Sequence, residues 1–320
     1  MQKISPLICE VLTLLGYVTD PAAPAGIVRR ELPEPPPREH DVVVEVAAYS
    51  INRGELALIE RRPDGWTPGQ DVAGVIVVAA ADGTGPAIGT RVVGLADQGG
   101  WSERVAIPSH RVAALPHSVS FTEAAALPVA GLTALRGLRT GGSLLSSRVL
   151  ITGASGGVGT FAVQLARIAG ALVTAQVSGP ARIAAVSALG AVEVRTEIGA
   201  DAGPFQLVLD GVGGPILTAA VRRLAPGGVA TAYGVASGRR SDIAFYDFAE
   251  GAPGARLEGF FIYSSGEETF GRDLAALALL IAEGKLVPQI GAPRNWSATP
   301  EAVTAMRRHE ATGKVVLVRD

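Results

Sequence analysis

The residues best suited to chemistry in this chain are the glycines of Gly153-Ala154-Ser155-Gly156-Gly157-Val158-Gly159. Glycines at this spacing let a backbone turn sharply and lie flush against a phosphate. The anion then rests on a helix N-terminus and its free N–H groups. The loop has to sit between a buried strand and a helix, and the surrounding pattern supplies both. Val149-Leu150-Ile151-Thr152 precedes it as an apolar run, and Phe161, Val163, Leu165 and Ile168 follow at helical spacing, before a second apolar run from Ala171 to Val177. Strand, glycine turn, helix and strand within about thirty residues predict a βαβ unit that binds a dinucleotide. Ala154, Gly156, Gly157 and Val158 are its expected contacts. A degenerate loop of the same shape that holds nothing is the alternative.

The end of the second strand reports on the ribose. A unit selective for NAD places Asp or Glu about twenty residues after the glycines, to hold both ribose hydroxyls. Here the segment reads Gln176-Val177-Ser178-Gly179-Pro180-Ala181-Arg182, without an acid. Ser178 can donate to a 2′-phosphate and Arg182 can pair with it as a planar fork, which predicts NADPH. As a solvated charge in a first helical turn, Arg182 would need no such role.

Composition narrows the rest. The 320 residues carry 28 Lys and Arg against 30 Asp and Glu, with no basic block longer than a pair, so nucleic acid is not an expected partner. The lone cysteine, Cys9, excludes an internal disulfide and a Cys-based zinc cluster. It reads as a small hydrophobe. The opening MQKISPLICEVLTLLGY has the apolar run of a signal peptide but neither its charged start nor a small-residue cleavage site. No run of some twenty apolar residues exists. A soluble cytoplasmic protein acting on a small molecule, away from membranes, is expected.

Strand-like runs fill the first part of the chain: Val42–Val46, Val72–Val78 and Arg91–Leu95, punctuated by Gly and Pro. From Thr122 the rhythm changes. Helices are predicted over Glu123–Ala130 and Thr133–Leu138, then, after the βαβ unit, helix Ala181–Leu189, strand Phe205–Leu209, helix Pro215–Leu224 and strand Gly228–Tyr233. This alternation predicts an α/β fold with a doubly wound parallel sheet. Gly259-Phe260-Phe261-Ile262-Tyr263 reads as an edge strand able to pair with a second copy in a homodimer. A helix over Arg272–Glu283 and a strand over Gly313–Val318 close the chain. The expected domains are residues 1–122 with 259–320, for the substrate, and 123–258, for the dinucleotide.

With this layout the whole chain resembles the medium-chain dehydrogenase/reductase superfamily, in its zinc-independent, zeta-crystallin-like quinone oxidoreductase branch. The likeness is carried by Pro33–Pro37 before Asp41–Val44, by Asn52-Arg53-Gly54-Glu55, and by Pro68-Gly69-Gln70-Asp71-Val72-Ala73-Gly74. Gly100–Glu103, Leu127-Pro128 through Thr133-Ala134, the glycine loop, Val208–Gly213 and Gly313-Lys314-Val315-Val316-Leu317 continue it in order. The resemblance implies a Rossmann domain beside a mostly-β GroES-like catalytic domain. It also implies that Thr133 lies beside the nicotinamide and that Gly234 belongs to the cofactor site. Gln70 stands where zinc-dependent relatives have a ligating His, and His40, His110, His117 and His309 are scattered, so no zinc site is expected. Without a Lewis acid, simple alcohol oxidation is disfavoured.

The remaining chemistry is hydride delivery to the β-carbon of a conjugated carbonyl, which needs orientation and hydrogen-bond donors. Asn52 is the first donor candidate, although an Asn here could equally cap the turn that follows. Tyr49 could replace the branch's usual Tyr, whose position is Ala57, or could equally be a core or edge residue of its strand; Ala57, with Ile59 in place of an Arg, would make a roomier, apolar pocket. Tyr233, Tyr246 and Tyr263 are further phenols that sequence does not order. The competing readings are an enoyl reductase on a polyketide-like intermediate, a non-redox cyclase or isomerase, and a non-catalytic NADPH-binding protein.

Overall fold

A computed structural model describes residues 13–249 and 251–319; Cys9 and most of the apolar opening segment lie outside them. The chain begins with a hairpin of β1 (Thr13–Thr19) and β2 (Ile27–Pro33). Then come β3 (Asp41–Ile51), α1 (Arg53–Arg61), β4 (Asp71–Val78), β5 (Arg91–Leu95), β6 (Arg104–Pro108) and β7 (Val112–Ala114). Two helices, α2 (Phe121–Ala125) and α3 (Pro128–Arg139), lead into an alternating stretch. It runs β8 (Arg148–Ile151), α4 (Gly157–Ile168), β9 (Leu172–Gln176), α5 (Ile183–Ala188), β10 (Glu193–Arg195), β11 (Phe205–Asp210), α6 (Gly214–Val221), β12 (Leu224–Ala232), α7 (Tyr246–Ala249) and β13 (Arg256–Gly259). The chain ends with α8 (Phe270–Ala282), β14 (Arg294–Asn295), α9 (Thr299–Arg307) and β15 (Val315–Val318).

The alternating stretch forms one parallel sheet in the order β10-β9-β8-β11-β12-β13. Two mononucleotide halves run outward from β8 and β11, so the strand order reverses between them. Sheets of this kind take ligands at the carboxyl ends beside that reversal. Val149, Leu150 and Ile151 are buried, as a strand covered on both faces must be. The other large sheet has the order β14-β15-β3-β4-β5-β7, with β6 also on β3. Its closing strand β15 pairs antiparallel with β3, bringing the end of the chain back to the first domain.

Three expectations are corrected. The Ala-rich stretch is broken at Pro128 instead of running to Ala130. Ser120 caps α2 with Glu123 in a reciprocal box, and Pro128, whose missing N–H costs nothing at a first helical position, restarts the chain as α3. The turn expected after Asn52 continues into a helix, α1. The edge strand is Arg256–Gly259, not Gly259–Tyr263; beyond it Ile262 turns into the core and a 3-10 turn spans Ile262–Ser264.

Helix α8 sits at the seam between the two sheets. Gly271 lies so close to β7 that a Cβ there would be 2.5 Å from the Val112 carbonyl oxygen. On its other side Asp273 receives Arg136 and Arg139 of α3. Among the described residues no helix is long and apolar enough to cross a membrane.

Candidate active-site cleft

The glycine loop is built as its sequence requires. Gly153 takes a left-handed φ of 57°, and Gly156 is the N-cap of α4. A Cβ on Gly159 would lie 2.5 Å from the Gly153 carbonyl oxygen, so only glycine lets the helix approach the strand this closely. The N–H groups of Gly157 and Val158 fall in the first turn of α4 and have no acceptor within the helix, which suits a phosphate. Ala154 has a different part: it is buried, and its N–H donates to the Gln176 carbonyl at 2.9 Å. It therefore braces the loop and does not face a ligand. The Gln176 side chain adds to this by accepting from Gly153 N at 3.1 Å.

Ser178 is exposed just past β9, and Arg182 is half-buried, its Nη1 donating to Ser155 Oγ at 3.3 Å. The guanidinium is thus folded over the glycine loop. Gly234 lies just past β12, at the same carboxyl edge of the sheet, where a Cβ would sit 3.0 Å from the Gly211 carbonyl oxygen.

Facing the loop from the other domain is a buried polar network. Residues 50 and 52 alternate to one side of β3 and place Ser50 and Asn52 side by side. Ser50 Oγ donates to Asp71 Oδ2 at 2.5 Å, and Asn52 Nδ2 donates to the same oxygen at 2.8 Å. Lys314 Nζ donates to Asn52 Oδ1 at 2.6 Å and to Asp71 Oδ2 at 3.0 Å. The other Asp71 oxygen accepts from Val129 N at 2.8 Å, so this carboxylate also terminates α3, where negative charge is favoured. Thr133 is buried one turn further along α3. Glu55 accepts from Asn52 N and Gln70 N at 2.6 and 2.8 Å. Burial, and then the neighbouring Asp71 charge, pushes its pKa up to about 8.

Tyr49 is not part of this face. It is out of phase with Asn52 on β3 and points into the opposite side, fully buried between Trp101 and Trp296. Its hydroxyl is paired with Thr299 Oγ1 at 2.5 Å, and burial raises its pKa far above the working range. Ile59 likewise joins the domain core, next to Gly26, and does not widen a pocket. Tyr246 is exposed on α7. Tyr233 packs over Gly211 at the end of β12. Tyr263, in the turn after β13, is the phenol that reaches the ends of β4 and β5: its hydroxyl accepts from Gln70 Nε2 and donates to the Ala96 carbonyl at 3.3 Å. Among the described residues no group of three His, Cys, Asp or Glu side chains could hold a metal.

Sequence reasoning missed Lys314, Asp71 and Glu55 as site residues, though each sat inside a motif used for the family resemblance. Their signal was faint, since a charge flanking an apolar strand ordinarily marks its solvent end.

A parallel sheet with a glycine-rich first turn, joined to a mostly-β domain that faces it across a cleft, defines a nucleotide-dependent dehydrogenase or reductase fold. Two family models match, the alcohol dehydrogenase GroES-like domain over residues 38–117 and zinc-binding dehydrogenase over residues 189–317. The chain is 35% identical over 291 residues to the spectinabilin polyketide synthase system protein NorB of Streptomyces orinoci, covering 86% of this chain and 13% of that protein. It is 29% identical over 313 residues to the 2-methylene-furan-3-one reductase of Solanum lycopersicum, covering 88% of this chain and 72% of that one. A crystal structure of the quinone oxidoreductase of Pseudomonas syringae pv. Tomato DC3000 superposes with a TM-score of 0.83 at 25% identity, over 96% of this chain and 100% of that one. These likenesses support membership of the medium-chain dehydrogenase/reductase superfamily, in its zeta-crystallin-like quinone oxidoreductase branch.

Proposed function

We propose that this protein is an NADPH-dependent reductase that reduces a conjugated carbonyl compound, a quinone or an α,β-unsaturated ketone or aldehyde, at carbon and without zinc. The observation that carries the reading is the pairing of the glycine loop with a facing wall of hydrogen-bonding groups in which Gln70, tied to Tyr263, replaces a metal-ligand His. The first turn of α4 suits the pyrophosphate, and Ser178 with Arg182 suits a 2′-phosphate. When bound, NADPH supplies a hydride from C4 of its nicotinamide. The chain's own part is to orient and to donate: Asn52 and Thr133 line the nicotinamide side, where the remaining N–H of the Asn52 carboxamide donates. Similarity to a furanone reductase and to a quinone oxidoreductase supports a substrate of this class. Similarity to a polyketide synthase protein supports the second reading, an enoyl reductase acting on a biosynthetic thioester.

The test is turnover of C4-deuterated NADPH with a panel of quinones, 2-alkenals, cyclic enones and enoyl thioesters, with the label located by NMR. Deuterium on the β-carbon of an alkene acceptor supports the reading, and label on a carbinol carbon overturns it. A quinone acceptor is scored by NADPH oxidation, since label on a hydroquinone oxygen exchanges with water; no oxidation with any acceptor would favour a cyclase, an isomerase or a non-catalytic binding protein. Activity should survive chelators; loss of stoichiometric zinc together with activity would refute the metal-free mechanism.

A further inference from the structure

Lys314 stands just before β15 and is 4% exposed, with its ammonium turned inward. A lysine ammonium only donates, a carboxylate only accepts, and a carboxamide has one end of each kind. In the cleft the amide of Asn52 lies between the two. Its oxygen faces Lys314 Nζ at 2.6 Å and its nitrogen faces Asp71 Oδ2 at 2.8 Å. Both neighbours select the same one of the two possible flips. Asp71 itself cannot turn, because Ser50 and Lys314 hold one of its oxygens and Val129 N the other. The other N–H of Asn52 Nδ2 has no partner among the described residues. The stem of Lys314 meanwhile crosses to the glycine loop, where a Cβ on Gly157 would lie 3.0 Å from its Cδ. A single side chain therefore touches both the donor amide and the loop suited to the pyrophosphate.

We infer that Lys314 is a positioning residue: it holds the Asn52 carboxamide as a hydrogen-bond donor toward the nicotinamide half of the cofactor, in register with the glycine loop. The inference rests on reading the cleft as an NADPH site. A lysine that only balanced the buried Asp71 charge would act differently, and two variants separate the roles. Lys314→Met keeps the stem and removes the ammonium, leaving Asp71 buried and unpaired, so its Tm should fall. Lys314→Met with Asp71→Asn removes both charges and should regain most of that Tm. The double variant no longer dictates which way Asn52 faces.

Calorimetry on the double variant should then show NADPH bound about tenfold more weakly, the scale of one lost hydrogen bond. Binding of 2′,5′-ADP, which lacks the nicotinamide, should be unchanged. In ligand-free protein the Asn52 side-chain amide, assigned by comparison with Asn52→Ala, should exchange slowly with solvent in the wild type and quickly in the double variant. Recovery of NADPH affinity along with Tm, equal weakening of 2′,5′-ADP, or undiminished protection of the Asn52 amide would each overturn the inference. If the wild type binds neither NADPH nor 2′,5′-ADP, the cofactor reading fails; the exchange measurement still decides whether Lys314 orients Asn52.

Discussion

Asp71 gathers a hydroxyl, an amide, an ammonium and the first turn of a helix onto one carboxylate, and it does so beside a second buried acid. That second acid, Glu55, has its pKa pushed from 4.5 up to about 8. Between those values the folded chain keeps a proton that the unfolded chain has released. Stability should therefore fall as pH rises from about 4.5 to about 8 and level off above. Asp210, buried under Thr152, is raised as well and acts in the same direction. Urea titrations across this range should show the decline, and Glu55→Gln should flatten most of it; a wild-type stability that climbs over the window would contradict the buried-acid account. Arg182 affords a second test, because a charge-assisted bond to a 2′-phosphate is worth about 1.5–3 kcal/mol. Arg182→Ala should narrow the NADPH-over-NADH preference by about tenfold or more, and an unchanged ratio of dissociation constants would place Arg182 outside the site. The residues that sequence singles out as candidates, the glycines, Asn52, Thr133 and Arg182, belong to short local patterns. Lys314 and Asp71 are meaningful only together, and they meet through a fold that joins distant parts of the chain. Of the two readings open for Tyr49, the structure has the core one, because its parity on β3 is opposite to that of Asn52.

At the scale of elements, the segment between β13 and α8 works as a strap over the seam. Arg136 of α3 donates to the carbonyls of Ser265 and Gly266, to Thr269 Oγ1 and to Asp273, all from a nearly inaccessible position. Arg111 holds the same segment from the catalytic side by pairing with both Asp97 and Glu267. The strap carries Tyr263 to Gln70. Arg136→Met should cost about 3–5 kcal/mol, because Asp273 would keep only the half-exposed Arg139. Chemical denaturation would measure it; a loss below about 1 kcal/mol, the value of an exposed pair, would mean the strap is held by packing alone. Element types were legible where periodicity was strong, as in β8, α4 and α8. Boundaries depended on side-chain detail, as where Ser120 and Pro128 divide one Ala-rich stretch into two helices. The run Gly259–Tyr263 reads as a strand because its apolar residues are contiguous; they face different ways, with Ile262 buried and Phe261 exposed.

For the whole molecule, alternation of strands and helices already implied the doubly wound sheet, whereas the mixed pairing of the first sheet has no comparable signature. Edge strand β13 pairs with β12 on one side and with no other strand among the described residues, and Leu257 and Phe261 are exposed along and just beyond it. We propose a homodimer that continues the sheet across this edge. Light scattering should give twice the chain mass of 32.7 kDa, and Leu257→Lys should halve it; a wild-type monomer at micromolar concentration would refute the dimer. The pairing of β15 with β3 has a consequence for how the protein is made. On the ribosome the parallel sheet, contiguous from residue 148 to 259, is complete while β3 still presents an open edge. Lys314 follows the whole of that sheet in the order of synthesis. A nascent chain thus has its glycine turn before Lys314 can meet Asn52 and Asp71, so the polar network assembles after the sheet it faces.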